Sequence, residues 1–186
     1  MEQKDKERST LINYYTLLKK IAIIGPESTG KTTLAQDLAN HYSTLWVPEY
    51  SREYLAGIEG EYSYDDVLNI AKGQLEREDE LAKQASGFLF IDTELIINKV
   101  WCEYKWETCH QWILDRLMDH HYDLYLLTDY DLPWEFDPLR ENPDTRDVLF
   151  EIYRNELEKY GFDYRIIRGQ GEERLTNAIN FINVLI

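Results

Sequence analysis

Short apolar runs recur at five places along the chain, residues 20–25, 45–48, 88–92, 123–128 and 164–168. Each is rich in Ile, Leu, Phe or Tyr and too short for an amphipathic helix, which predicts β-strands buried on both faces. Between them apolar residues return at helical spacing. Leu34, Leu38 and Ala39 form one such stripe, ending near His41, and Val67, Ala71 and Leu75 form another. The second follows Ser63-Tyr-Asp-Asp, an N-cap serine with acids in the first turn. Further helices are predicted over about 95–106, 109–120, 145–160 and 172–184. Strands alternating with helices predict an α/β fold with a parallel sheet covered on both faces. In such a sheet ligands gather at the carboxyl ends of the strands, so the residues after each apolar run are the candidates for chemistry.

The first of these junctions carries the strongest signal. Ile21 to Ile24 leads into Gly25, and the chain reads G-x-x-x-x-G-K-T through Gly25, Gly30, Lys31 and Thr32 before the first helix. Gly25 and Gly30 allow backbone conformations closed to residues with a Cβ, so that consecutive N–H groups turn inward onto phosphate oxygens. The following helix N-terminus adds its partial positive charge. Lys31 is expected at the β- and γ-phosphates of ATP, Thr32 on Mg²⁺, and Glu27, Ser28, Thr29 and Thr33 complete the expected nucleotide loop.

The other strand ends add charged side chains. After the second run come Glu49, Tyr50 and Arg52, the first placed to accept a proton from a substrate hydroxyl and the last to hold an anion. The alternative there is a solvated helix start. After the third run, Asp92 is a candidate second Mg²⁺-associated acid, a substrate contact, or the N-cap of the next helix. The fourth run leads into a Pro- and Asp-rich segment carrying Trp134, Arg140 and Arg146, which suits a lid that excludes water, although an exposed loop with ordinary surface charge would look similar. The fifth leads into Gly169-Gln-Gly171, a turn expected beside the nucleotide base.

Composition narrows the function class. The chain has 186 residues, one domain by size, read as a domain over 20–186 behind an N-terminal extension of residues 1–19 whose first ten residues are a frayed polar end. Its net charge of −15 repels nucleic acid and shows no compensating basic patch. No apolar run approaches the roughly 20 residues of a membrane span, and the polar N-terminus lacks a secretory core. Cys102 and Cys109 lack metal-ligand spacing and read as reduced, half-buried thiols of a cytoplasmic protein. His120-His121, ending a helical pattern, reads as helix capping rather than metal binding.

The ordered set of motifs resembles the P-loop kinase domain that phosphorylates nicotinamide riboside in bifunctional NAD-biosynthesis proteins of the NadR type. The resemblance runs from about residue 20 to 184. It rests on Gly25 to Thr33, on Glu49 to Tyr54, on Ile91 to Glu94, on Lys99-Val-Trp101, on Asp131 to Arg140 and on Gly171 to Arg174. It implies a five-stranded sheet of order 2-3-1-4-5 with a helical lid, and phosphoryl transfer from Mg·ATP to the 5′-hydroxyl of a small nucleoside. Lys31, Glu49, Asp92 and Arg140 would be catalytic; Arg146 and Gly171 would lie on the nucleotide, and Glu49, Tyr50, Arg52, Asp92 and Trp134 on the acceptor. Pro48 stands where the family carries a stacking aromatic, with Trp46 on the same strand as a substitute. The short stretch before the first strand implies a stand-alone kinase. The residues alone leave open a nucleotide-driven regulatory switch, an acceptor that is another nucleoside, a nucleotide or a vitamin, the choice of ATP or GTP, and homo-oligomerisation.

Overall fold

The structure is a computed structural model that describes residues 18–185. The expected N-terminal extension therefore lies almost entirely outside the described residues. Five strands, β1 (Lys19–Ile24), β2 (Leu45–Val47), β3 (Phe88–Asp92), β4 (Leu124–Thr128) and β5 (Tyr164–Ile167), form one sheet of order β2-β3-β1-β4-β5. All four pairings are parallel. The sheet class and strand order expected from the resemblance are those of the molecule.

Parallel neighbours need crossovers, and six helices among the described residues supply them, α1 (Lys31–His41), α2 (Tyr50–Ala56), α3 (Tyr64–Ala82), α4 (Leu95–Trp106), α5 (Gln111–Asp119) and α6 (Arg146–Tyr160), while α7 (Glu172–Ile182) follows the last strand. Each lies close to its predicted span, except α2, which the apolar pattern did not announce. Ser63 caps α3 in a capping box with Asp66.

The alternation along β1 divides the core. Ile21 and Ile23 pack with Leu34, Leu38, Ala178 and Ile182 from α1 and α7. Ala22 and Ile24 face the opposite layer, with Val67, Leu95, Val100, Ile113 and Leu149 from α3 to α6. Ile21 through Ile24 are completely buried, and each of the three isoleucines contributes about 1.5–3 kcal/mol of apolar burial. This central strand holds the loop that follows it on a rigid base.

Two polar details extend the sequence reading. His120 follows α5, but its ring Nε2 lies 2.7 Å from buried Glu78, which also meets Lys20 Nζ at 3.0 Å and the Tyr122 hydroxyl at 2.7 Å. Burial works to raise the Glu78 pKa, yet these partners together hold it below the ordinary value. His120 is the C-cap of α5, its backbone N–H donating to Arg116 O, as the capping reading expected, and its ring in addition serves a buried carboxylate. Cys102 and Cys109 are both free, and their thiols touch across the α4–α5 corner.

Candidate active site

The loop between β1 and α1 takes conformations that its glycines make accessible. Gly25 has φ +143°, and a Cβ there would lie 2.4 Å from Thr128 Oγ1 and 2.7 Å from the Thr128 carbonyl. Gly30 (φ +74°) leads directly into α1. Ser28 also adopts a left-handed φ of 56°, which a serine accepts only where its surroundings impose it. Thr29 is that restraint's anchor: its buried hydroxyl reaches Pro26 O at 2.8 Å and Thr128 Oγ1 at 2.7 Å. Lys31 Nζ folds back onto the carbonyls of Gly25 (3.0 Å) and Pro26 (2.8 Å), the anionic end of its own loop. Burial lowers its pKa, while Glu49, Asp92 and Glu27 pull the other way.

Asp92 ends β3 directly beneath Thr32, whose hydroxyl donates to Asp92 Oδ2 at 2.5 Å. The second carboxylate oxygen is buried without a partner. Burial, followed by the like charge of Glu49, pushes the Asp92 pKa up to about 6. A hydroxyl and a half-satisfied carboxylate in contact fit a hard divalent cation that draws its remaining ligands from water and phosphate. Among the described residues no cluster of three or more His, Cys, Asp or Glu exists, and this type of site needs none. Asp92 does not cap α4; Glu94 does, through Ile96 N at 2.9 Å. Burial raises the Glu94 pKa to about 8, and its other oxygen is unpartnered.

Residues of the β1–α1 loop and of the β2–α2 junction line one cleft of about 970 Å³. Gly25, Glu27 through Thr33, Glu49, Arg52 and Arg140 all face it. Glu49 accepts from the Ser51 hydroxyl at 2.6 Å and pairs with Arg52 at 3.4 Å; Arg52 reaches Asp137 at 2.9 Å. The β4–α6 segment folds back over the phosphate loop. Arg140 donates to Ser28 Oγ (2.7 Å) and Glu135 O (2.6 Å), and the Glu27 carboxylate accepts the backbone amides of Glu141 (3.1 Å) and Asn142 (3.0 Å).

Several residues singled out from sequence lie elsewhere. Tyr50 turns its ring away from the cleft onto Gly73 of α3, beneath the Arg77 guanidinium. Trp134 stands 5.8 Å from Arg146, and Arg146 donates to Leu132 O at 2.9 Å, bracing the β4–α6 segment without lining the cleft. Gly171 (φ 52°) precedes α7, in a loop fastened by Arg174 to Ile167 O, Asp129 O and Asp131, and it does not line the cleft either. Trp46 packs in the layer of α1 and α7, so it does not replace the aromatic missing at Pro48.

The cleft is also lined by Tyr62, Trp101, Tyr104, Lys105 and Tyr153, to which the sequence assigned no role in the site. One signal was available. Ile97, Trp101 and Lys105 recur at i, i+4 and i+8, which puts them on one face of α4.

Comparison with known proteins completes the description. A family model described as "AAA domain" matches residues 20–174. The trifunctional NAD biosynthesis/regulator protein NadR of Escherichia coli (strain K12) is 29% identical over 167 residues, covering 81% of this chain and 41% of the relative. Its counterpart in Salmonella typhimurium is 33% identical over 127 residues, 66% of this chain and 31% of the relative. The chain thus spans less than half the length of these relatives. Among solved structures, a NadR protein in complex with NR superposes with TM-score 0.73 at 21% identity, covering 92% of this chain and 52% of that one. A NadR protein in complex with NAD and AMP-PNP gives 0.71 at 23% identity, covering 90% and 49%.

Proposed function

The chain belongs to the AAA domain family, as a P-loop kinase-type domain homologous to NadR, and from that premise we propose that it transfers the γ-phosphoryl group of ATP to the 5′-hydroxyl of a nucleoside, nicotinamide riboside foremost. The observation that carries this reading is the shared cleft: Glu49 and Arg52 face the phosphate loop across one cavity whose far end is walled by Tyr62, Trp101 and Tyr104.

The chain's own residues supply positioning and charge. Loop amides and Lys31 hold the phosphates, Lys31 exchanging its bonds to Gly25 and Pro26 for phosphate oxygens. Thr32 and Asp92 would hold Mg²⁺, which when bound neutralises phosphate charge. Glu49 takes the proton of the acceptor hydroxyl, and Arg52, beside it, orients that carboxylate. Arg140 closes from above the loop and excludes water.

The acceptor end supports a neutral or cationic nucleoside over an anionic nucleotide. Its bases, Arg52 and Lys105, are already paired with Glu49, Asp137 and Glu141, and Glu61 adds a further carboxylate. Aromatic rings beside carboxylates suit a pyridinium ring. NR is what one NadR protein holds in its crystal structure, and AMP-PNP what another holds, which supports the same pair of substrates here. The test is incubation with Mg·ATP and a panel of ribosides and nucleotides, with products read by mass. A 5′-monophosphate of nicotinamide riboside is expected; products from nucleotides alone, or none, would remove the reading. Acceptor-independent hydrolysis as the only activity would favour a nucleotide-driven switch.

A further inference from the structure

Glu141, in the β4–α6 segment, is attached on two sides. Its backbone amide donates to Glu27 of the phosphate loop at 3.1 Å. Its side chain crosses to the acceptor wall, where Oε2 accepts from the Tyr62 hydroxyl at 2.8 Å and Oε1 lies 3.6 Å from Lys105 Nζ. Tyr62 is in turn fixed by α4. Its oxygen accepts from Trp101 Nε1 at 2.9 Å, and the Lys105 ammonium sits 3.8 Å above its ring. The loop before α3, helix α4 and the β4–α6 segment therefore meet at one carboxylate, over a cleft that Tyr62, Trp101, Lys105 and Glu141 all line.

We propose that Glu141 latches the lid to the acceptor wall through Tyr62 and Lys105, so that closing over the phosphates and closing over the acceptor are one event. This rests on the kinase reading of the cleft and deepens it. Glu141 and Tyr62 are positioning residues, acting through the lid. An acceptor seated against Tyr62 and Trp101 fixes the ring that presents the hydroxyl to Glu141, and the Glu141 backbone then holds the Glu27 side of the phosphate loop. Binding of acceptor and nucleotide becomes mutually reinforcing, by the same factor in each direction. Burial, aided by Glu141, holds the Tyr62 phenol protonated far above its ordinary pKa, so it donates throughout the physiological range.

The experiment uses the full chain and two variants. Tyr62→Phe keeps the ring and deletes the donor; Glu141→Gln keeps an acceptor for Tyr62 and deletes the charge facing Lys105. In the Mg·AMP-PNP complex, amide exchange across residues 135–145 should quicken about tenfold in Tyr62→Phe and less in Glu141→Gln, the loss of one hydrogen bond to a charged group. With a riboside acceptor, Tyr62→Phe should raise the acceptor KM about tenfold, leave the nucleotide Kd measured without acceptor within about twofold, and abolish the tightening of nucleotide by acceptor. Unchanged exchange in both variants overturns the latch whatever the acceptor proves to be. A parallel rise in both KM values with a lowered Tm overturns it in favour of a structural role. If the wild type phosphorylates no riboside, the kinase reading falls on that result alone, and the exchange arm still decides whether Tyr62 holds the lid.

Discussion

The two halves of the cleft are made differently. The phosphate half is one unbroken stretch, Gly25 to Thr32, and most of what it offers is backbone. The proposed acceptor half draws on α2, the loop before α3, helix α4, the β4–α6 segment and α6, and what it offers is side chains. Amides have no sequence identity, so the first half suits the invariant part of a substrate, a polyphosphate. Side chains brought from five places can be exchanged one at a time, so on the proposed kinase reading the second half is where the choice of acceptor would reside. Different chemistry follows from different construction.

That contrast can be broken at its strongest point first. Lys31→Ala should remove about 3–4 kcal/mol of transition-state stabilisation for every acceptor alike, seen as a uniform fall in kcat across a riboside panel. A loss confined to some acceptors would erase the distinction between the halves. Asp92→Asn should lower magnesium-dependent turnover about a hundredfold, and yet stabilise the protein. The sign follows from its pKa, raised from 3.8 to about 6. The stability this group contributes is complete below the ordinary value and lost as pH rises through about 6, so at pH 7 the ionised form burdens the fold and the amide relieves it. Thermal melts of the metal-free protein at pH 7 should show a higher Tm for the variant, and wild-type activity should rise as pH passes about 6 while the variant's residual rate does not.

A smaller effect is expected beneath the acceptor wall. Glu94 caps α4, which carries Trp101 and Lys105, and its pKa is raised from 4.5 to about 8. Its contribution to stability is likewise lost as pH climbs through about 8, so Glu94→Gln should gain on the order of 2 kcal/mol at pH 9 and nothing at pH 4. Urea titrations at both pH values check this, and equal gains would refute the assigned cause. The smallest effect sharpens the contrast from the other side. An added Cβ at Gly73 would meet the Tyr50 ring at 2.1 Å. Gly73→Ala should therefore cost about 1–2 kcal/mol, even after a helix-propensity gain of about 1 kcal/mol. By shifting α2 it should raise the acceptor KM while nucleotide affinity, measured by calorimetry, stays as it was.

What could be read in advance divides along the same line. The strands β1, β3 and β4 were visible because their runs are buried on both faces and so are written as continuous apolar text; the edge strands β2 and β5, expected to be buried likewise, are only partly covered, and Arg165 of β5 is exposed. The phosphate loop was visible because its chemistry is local: glycines where the backbone must turn, then Lys31 and Thr32 at fixed offsets. Glu49 and Arg52 were found from the strand-end rule, and both line the cleft. The same rule put Tyr50 there, and the structure turns it onto Gly73, because a residue on α2 faces wherever α2 packs. Arg146, Trp134 and Gly171 fell outside for a related reason, since proximity to a strand end along the chain does not fix a side chain's direction.

The amino-acid sequence by itself determined the individual strands, their alternation with helices and the anion-binding turn, because each depends on residues within a few positions of one another; the pairing of the strands joins residues far apart in the chain. Only the tertiary structure decided that Tyr62, Trp101, Lys105 and Glu141 share one wall, since these four are separated by up to 79 positions and meet through the packing of α3, α4 and the β4–α6 segment. The physical reason is range: backbone conformation and burial period are short-range properties of a chain, whereas a cavity is the space left where distant elements fail to touch.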